Sequence, residues 1–170
     1  MSAGGKPPAA YIKKKEERKM FDFLKLCNYF EKLPPLKRAA LLAEKSVKVI
    51  AGLKDMNVDG IDAVDALASF LIGSVVCDGN VNEVEYLLIY PSLVRIFGDD
   101  FDYNTIKASF KGPQGKKAVK ECVSHMEKIF AALDEEMRRD VFALSLCAVA
   151  IDGKISLKER IYLRKLGSIK

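Results

Sequence analysis

Two short stretches, 74 residues apart, place carboxylates at matching positions: CDGNVNEVEY carries Asp78 and Glu85, and AIDGKISLKER carries Asp152 and Glu159. Both read Asp-Gly, one residue, Val81 or Ile155, Asn82 or Ser156, two residues, then Glu. Hard cations are held by carboxylate and carbonyl oxygens. Asp78, Glu85, Asp152 and Glu159 are therefore candidate ligands for a divalent metal, with Ca²⁺, Mg²⁺ or Mn²⁺ favoured over Zn²⁺. The first copy adds Asn80 and Asn82, whereas the second has Lys154 where the first has Asn80. A lysine beside Asp152 can neutralise it internally, which makes the first copy the better cation candidate. Neither copy is an EF-hand, which needs Gly at the sixth loop position and Glu at the twelfth.

The same letters also have a purely structural reading. Gly79 and Gly153 can end a helix in the left-handed conformation that glycine adopts cheaply, and Asn82 and Ser156 can cap the next helix. Glu85 and Glu159, three residues on, can complete a capping box, with Val81 and Ile155 as hydrophobic staples. The aspartates are left over. They follow apolar helices, at the negative end of the helix dipole, where a carboxylate costs about 0.3 to 1 kcal/mol. A lysine, a backbone turn amide or a hard cation could compensate.

Those motifs must be positioned by helices, since alternating strand patterns are almost absent. Met20, Phe23, Leu24, Cys27 and Phe30 form one stripe of an amphipathic helix over Lys13–Lys32, ended by Pro34 and Pro35. Leu36, Ala40, Leu41, Ala43, Val47, Ile50 and Ala51 keep a helical period over Leu36–Leu53. Asn57-Val58-Asp59-Gly60 is a turn, and Asp62 caps a central helix to about Val76. Asn82–Phe97 returns, with Val84, Leu87, Leu88, Val94 and Phe97 inward and Pro91 predicting a kink or a split into two helices. Asp102 caps a short helix to Phe110. Lys116–Leu133 buries Val119, Val123, Met126, Ile129 and Phe130. Asp134 caps the next helix, and Ser156–Leu166 ends the series. The expected fold is all-α, a single-domain bundle of about seven to eight helices with an internally duplicated helix-turn-helix hairpin. Residues 1–10 read as a disordered tail, 11–33 as a basic amphipathic helix and 34–170 as the helical domain.

Charge is unevenly spread. Residues 1–50 hold 12 Lys/Arg against 5 Asp/Glu, residues 51–110 hold 3 against 10, and residues 111–170 hold 13 against 8. Lys13, Lys14, Lys15, Arg18, Lys19 and Lys25 lie beside Phe21, Phe23, Leu24 and Phe30, the composition of a helix that could meet a protein partner or an anionic membrane surface. No groove-reading motif accompanies the basic run, so nucleic acid is not the expected partner. The apolar blocks are shorter than the ~20 residues of a spanning helix, and no secretory signal pattern opens the chain, so a cytoplasmic protein, peripheral to a membrane at most, is expected. Cys27, Cys77, Cys122 and Cys147 form no Cys-x-x-Cys pair, and Cys122 with the single histidine, His125, makes a poor zinc site. No nucleophile elbow or phosphate-cradling loop is present, so the chain does not read as an enzyme.

The repeated apolar helix, Asp-Gly, cap and Glu resembles the tellurite-resistance TerB-like family, an all-helical domain found also in the membrane-proximal part of some DnaJ-type co-chaperones. The resemblance covers Leu36 to Gly167, roughly three quarters of the chain, and rests mainly on the two motifs. It implies a cytoplasmic, bacterial stress-resistance module whose acidic residues, here Asp78, Glu85, Asp152 and Glu159, bind a metal. Pro91 and the basic segment at Lys13–Lys32 depart from the family pattern, and no His-Pro-Asp of a J-domain is present.

Overall fold

Each repeated motif stands between two helices and has a further helix before them, and the two resulting three-helix segments, the copies, interlock. The structure is a computed structural model that describes residues 22–77 and 83–167. Helix α1 spans 22–32. The first copy follows as α2 (Pro35–Leu53), α3 (Ala63–Val75) and α4 (Glu83–Phe97), and α5 (Tyr103–Ser109) leads to the second, α6 (Gly115–Ala132), α7 (Glu135–Val149) and α8 (Leu157–Gly167). The all-α architecture expected from the sequence is present, with eight helices among the described residues. The tail at 1–10 and the first half of the basic segment lie outside the described residues.

The most extensive packing runs between copies: α2 lies on α7, and α3 lies on α6. This places α3 and the second half of α7 at the centre, where Leu67, Phe70, Leu71 and Ile72 meet a core that includes Leu144, Leu146 and Ala148. Buried hydroxyls on these helices bond within their own helix, Ser74 Oγ to Leu71 O at 2.6 Å and Ser145 Oγ to Val141 O at 2.9 Å, so both hydroxyls are matched.

The caps are those the sequence predicts. The Asp62 carboxylate accepts from Asp65 N (2.8 Å), Asp102 from Thr105 N (3.0 Å) and Asp134 from Met137 N (2.8 Å). Asp59-Gly60 is also a turn, but it closes a two-residue ladder missed by the sequence reading, β1 (Asn57–Val58) against β2 (Ile61–Asp62). Both turn residues have positive φ, 53° and 80°, which is what a two-residue hairpin demands and Asp-Gly supplies.

Two helix faces are set differently from the sequence expectation. The buried stripe of α2 is Arg38, Leu42, Ser46, Val49 and Leu53, while Leu36 and Val47 are exposed. Arg38 and Ser46 can sit inward because each donates to a carbonyl, Glu31 O at 3.1 Å and Ala43 O at 2.9 Å. On α4 the buried residues are Tyr86, Ile89, Ser92, Leu93 and Ile96, whereas Val84, Leu87 and Leu88 face outward. Tyr86 fixes that rotation, with Lys107 of α5 lying 4.0 Å over its ring and paired to Glu83 at 2.6 Å. Pro91 does not split α4, which runs through it as one helix. The proline lies on the exposed side, where water can serve the carbonyl that lacks its donor. The halves on either side of it are held by buried Ile89 and Leu93.

Candidate functional site at the Asp-Gly turns

The second turn is built from four successive backbone amides, each with its own acceptor. Gly153 N bonds Ala150 O at 2.9 Å, continuing from the end of α7, and Gly153 has φ of 88°, the left-handed stop expected of it. Lys154 N bonds Asp152 Oδ1 at 2.9 Å. Ile155 N bonds Glu31 Oε1 at 2.8 Å. Ser156 N bonds Glu159 Oε2 at 2.7 Å, and Glu159 N returns to Ser156 Oγ at 3.2 Å, so both halves of the capping box form. Ile155 is buried in the core, as a staple should be. Three carboxylates from three places in the chain therefore hold one turn. The residual question over Asp152 has a local answer: the Lys154 backbone amide provides its compensation at the negative end of α7.

These bonds use one oxygen of Asp152 and one of Glu159. Burial pushes the Glu159 carboxyl up to about 7, the Ser156 bonds pull it back in part, and the nearby charges of Glu85 and Asp152 raise it further. Glu85, exposed in the first turn of α4, thus comes from the other sequence copy to share a field with Asp152 and Glu159. Three of the four carboxylates singled out in the sequence are brought to one region. Asp78 lies outside the described residues, as do Asn80 and Asn82. Among the described residues, no group of three or more His, Cys, Asp or Glu side chains gathers closely enough to hold a metal ion.

Sequence reasoning missed the residues that clamp this turn. Burial favours the protonated form of Glu31, but the Ile155 amide and Arg160 outweigh it and hold the carboxyl below its usual value. Arg160 donates to Glu31 Oε1 at 2.8 Å and from Nε to Ile155 O at 2.9 Å. The buried Arg38 lies against Gly153, its nearest guanidinium nitrogen 3.4 Å from where a β-carbon would stand. The apolar pattern gave no signal for Arg38, which lies opposite the stripe of Leu36, Ala40 and Val47 that the sequence reading turns inward. Glu31 and Arg160 are 129 residues apart, beyond any local pattern.

Of the basic residues singled out, Lys13, Lys14, Lys15, Arg18 and Lys19 lie outside the described residues, and Lys25 is exposed on α1. The described apolar stripe of α1 docks on the domain: Cys27 and Phe30 are buried, and the Phe23 ring lies 6.0 Å from that of Phe142. No described helix is long and apolar enough to cross a membrane. Cys122 and His125 do not act as a pair, since the Cys122 thiol is buried 3.2 Å from the Tyr162 hydroxyl and His125 is exposed. In the acidic middle of the chain, Asp62 and Asp102 serve as helix caps and Asp59 as a turn residue. Set against known proteins, the chain matches no family model, no curated protein and no solved structure.

Proposed function

We propose that this chain is a non-catalytic, TerB-like helical module of cytoplasmic stress response that binds a divalent cation through the carboxylates of its two Asp-Gly motifs. The observation that supports it is the meeting of Glu85, Asp152 and Glu159 in one region, where burial raises the Glu159 carboxyl to about 7 and the charges of Glu85 and Asp152 add to the rise. A hard cation would relieve that repulsion by taking the second oxygen of Asp152 and of Glu159, with Glu85 and Asp78 as further ligands. Calcium, magnesium and manganese suit such an all-oxygen set better than zinc. Calorimetric titration of Ca²⁺, Mg²⁺, Mn²⁺ and Zn²⁺ into the full chain tests the reading. Heat that is lost in Asp152→Asn and in Asp78→Asn supports it, and absence of heat with all four ions overturns it.

A second reading is a scaffold that meets a protein partner or an anionic membrane surface through its basic N-terminal helix, the turns being purely structural. Exposed Lys25, with Leu24 and Tyr29 also exposed on α1, favours it, while the docked Phe23, Cys27 and Phe30 leave less apolar surface for lipid. Co-sedimentation with anionic against neutral vesicles decides: binding to anionic vesicles alone, lost when Lys13, Lys14, Lys15, Arg18, Lys19 and Lys25 are neutralised together, supports this reading.

A further inference from the structure

Helix α4 is apolar on two faces, and only one of them meets the core. Tyr86, Ile89, Leu93 and Ile96 face inward, while Val84, Leu87, Leu88 and Pro91 recur at helical spacing on the opposite, exposed side. Val84 is 68% exposed, Leu87 67% and Leu88 49%. With Tyr90, α4 carries more exposed large apolar side chains than any other helix among the described residues. A helix that is apolar all round is ordinarily covered all round. Exposed apolar side chains gathered in a patch mark a contact surface where scattered ones do not. The exposed Leu36 and Val47 of α2, by contrast, stand about three turns apart.

The charges at the two ends of the stripe indicate what covers it. Glu83 and Glu85 stand in the first turn of α4 and Arg95 in the last; Glu83 also holds Lys107 of its own chain. An anionic lipid surface meets those two carboxylates as like charges, which disfavours it as the occupant. A second α4 laid parallel would set acid beside acid and base beside base, whereas one laid antiparallel sets each end against its opposite. With residue 89 of one helix level with residue 89 of the other, Leu87 comes level with Pro91, Leu88 with Tyr90 and Val84 with Val94. Arg95 then comes level with Glu83, and Glu85 lies about 3 Å further along at about 1.5 Å per residue. The pairing reads the same from either copy, as a two-fold interface requires. We propose that two copies of this chain associate through antiparallel pairing of their α4 stripes, with the apolar side chains at the centre and Arg95 of each at the acidic end of the other. The pairing needs no cation at the Asp-Gly motifs.

Four or five side chains from each copy make a small interface, so the dimer forms with a Kd on the order of 10 to 100 µM. Sedimentation equilibrium of the full chain, from about 5 to 500 µM, measures it. Leu87→Asp puts a charge at the centre of the stripe and weakens association at least about tenfold. Val47→Asp, an equally exposed site on α2, leaves it unchanged. Arg95→Glu sets acid against acid and weakens association several-fold, and adding Glu85→Arg to that variant restores it, because both ends are then reversed together. Far-UV circular dichroism shows that each variant keeps the helical content of the wild type, since every substituted side chain is exposed. A wild type that stays monomeric to 500 µM overturns the proposal, as does a dimer indifferent to Leu87→Asp or equally lost in Val47→Asp. A dimer weakened by Leu87→Asp but not by Arg95→Glu overturns the antiparallel register. A monomer that sediments with lipid vesicles and loses that binding in Leu87→Asp overturns the proposal in favour of a membrane as the occupant.

Discussion

Replacing Glu159 by Gln separates the two roles this residue combines. A glutamine oxygen can still accept from Ser156 N, so the capping box survives, while the charge facing Glu85 and Asp152 is removed. In the wild type the carboxyl titrates at about 7 in the fold and at about 4.3 in the unfolded chain. Between those values the folded state binds more protons than the unfolded one, so the Glu159 contribution to stability falls as pH rises through this window. At about 1.4 kcal/mol per unit the gap sets an upper bound of roughly 4 kcal/mol, and solvent screening at a part-exposed carboxylate brings it to about 2 kcal/mol. Glu159→Gln therefore matches the wild type near pH 4 and is about 2 kcal/mol more stable above pH 7.5, or about 4 to 8 °C in Tm for a chain of this size. Thermal unfolding in a chelator across that range measures it. Adding Mn²⁺ at pH 8 should raise the wild type toward the variant, since a bound cation stabilises only the state that binds it. A variant gain that does not change with pH, or a variant less stable than wild type at pH 8, would refute the argument that burial, with the charges of Glu85 and Asp152 added, disfavours the Glu159 carboxylate, and would leave Glu159 as a cap alone.

Other perturbations test the packing that carries the site. A β-carbon on Gly73 would stand 2.5 Å from Tyr162 Oη and 2.9 Å from Cys122 Sγ, so Gly73→Ala lowers stability in urea unfolding by about 1 to 3 kcal/mol despite alanine's better helix propensity. Asp140 is buried between Lys45 and Lys48, each 2.7 Å away, and Lys45 followed by Lys48 holds its carboxyl below the usual range. Asp140→Asn costs about 1 to 3 kcal/mol at neutral pH; because the folded value is depressed, that stability is present above the unfolded Asp range and disappears as pH falls through the folded one, so the difference between the proteins closes in acid. Asp62→Ala removes the cap on α3 and lowers Tm by the equivalent of about 1 kcal/mol.

Short-range chemistry was legible in the sequence and long-range chemistry was not. Asp62, Asp102, Asp134, Ser156 and Glu159 were readable because each bonds within three residues, and Gly153 because a left-handed stop favours one residue type. The faces of α2 and α4 were misread because counting apolar letters favours Val47 or Leu87. What decides the inward face is whether Arg38 and Ser46 find acceptors and where Tyr86 meets Lys107. The candidate site divides in the same way. Asp152 and Glu159 announce themselves by repetition, but their clamp, Glu31 with Arg160 and Arg38, is assembled only when α1 meets the start of α8.

The interlocking of the copies determines how the chain becomes a domain. Because α2 rests on α7 and α3 on α6, each copy finds its main packing surface on the other, and the helices of one repeat alone would leave Leu67, Phe70 and Leu71 facing water. Cutting the chain between residues 111 and 114 should therefore give two complementary fragments that acquire structure only on mixing, as circular dichroism of each alone and of the mixture would show. The same reciprocity means that two chains at high concentration could trade halves across that linker and rebuild every contact in a dimer, with the Glu85 of one polypeptide beside the Glu159 of another.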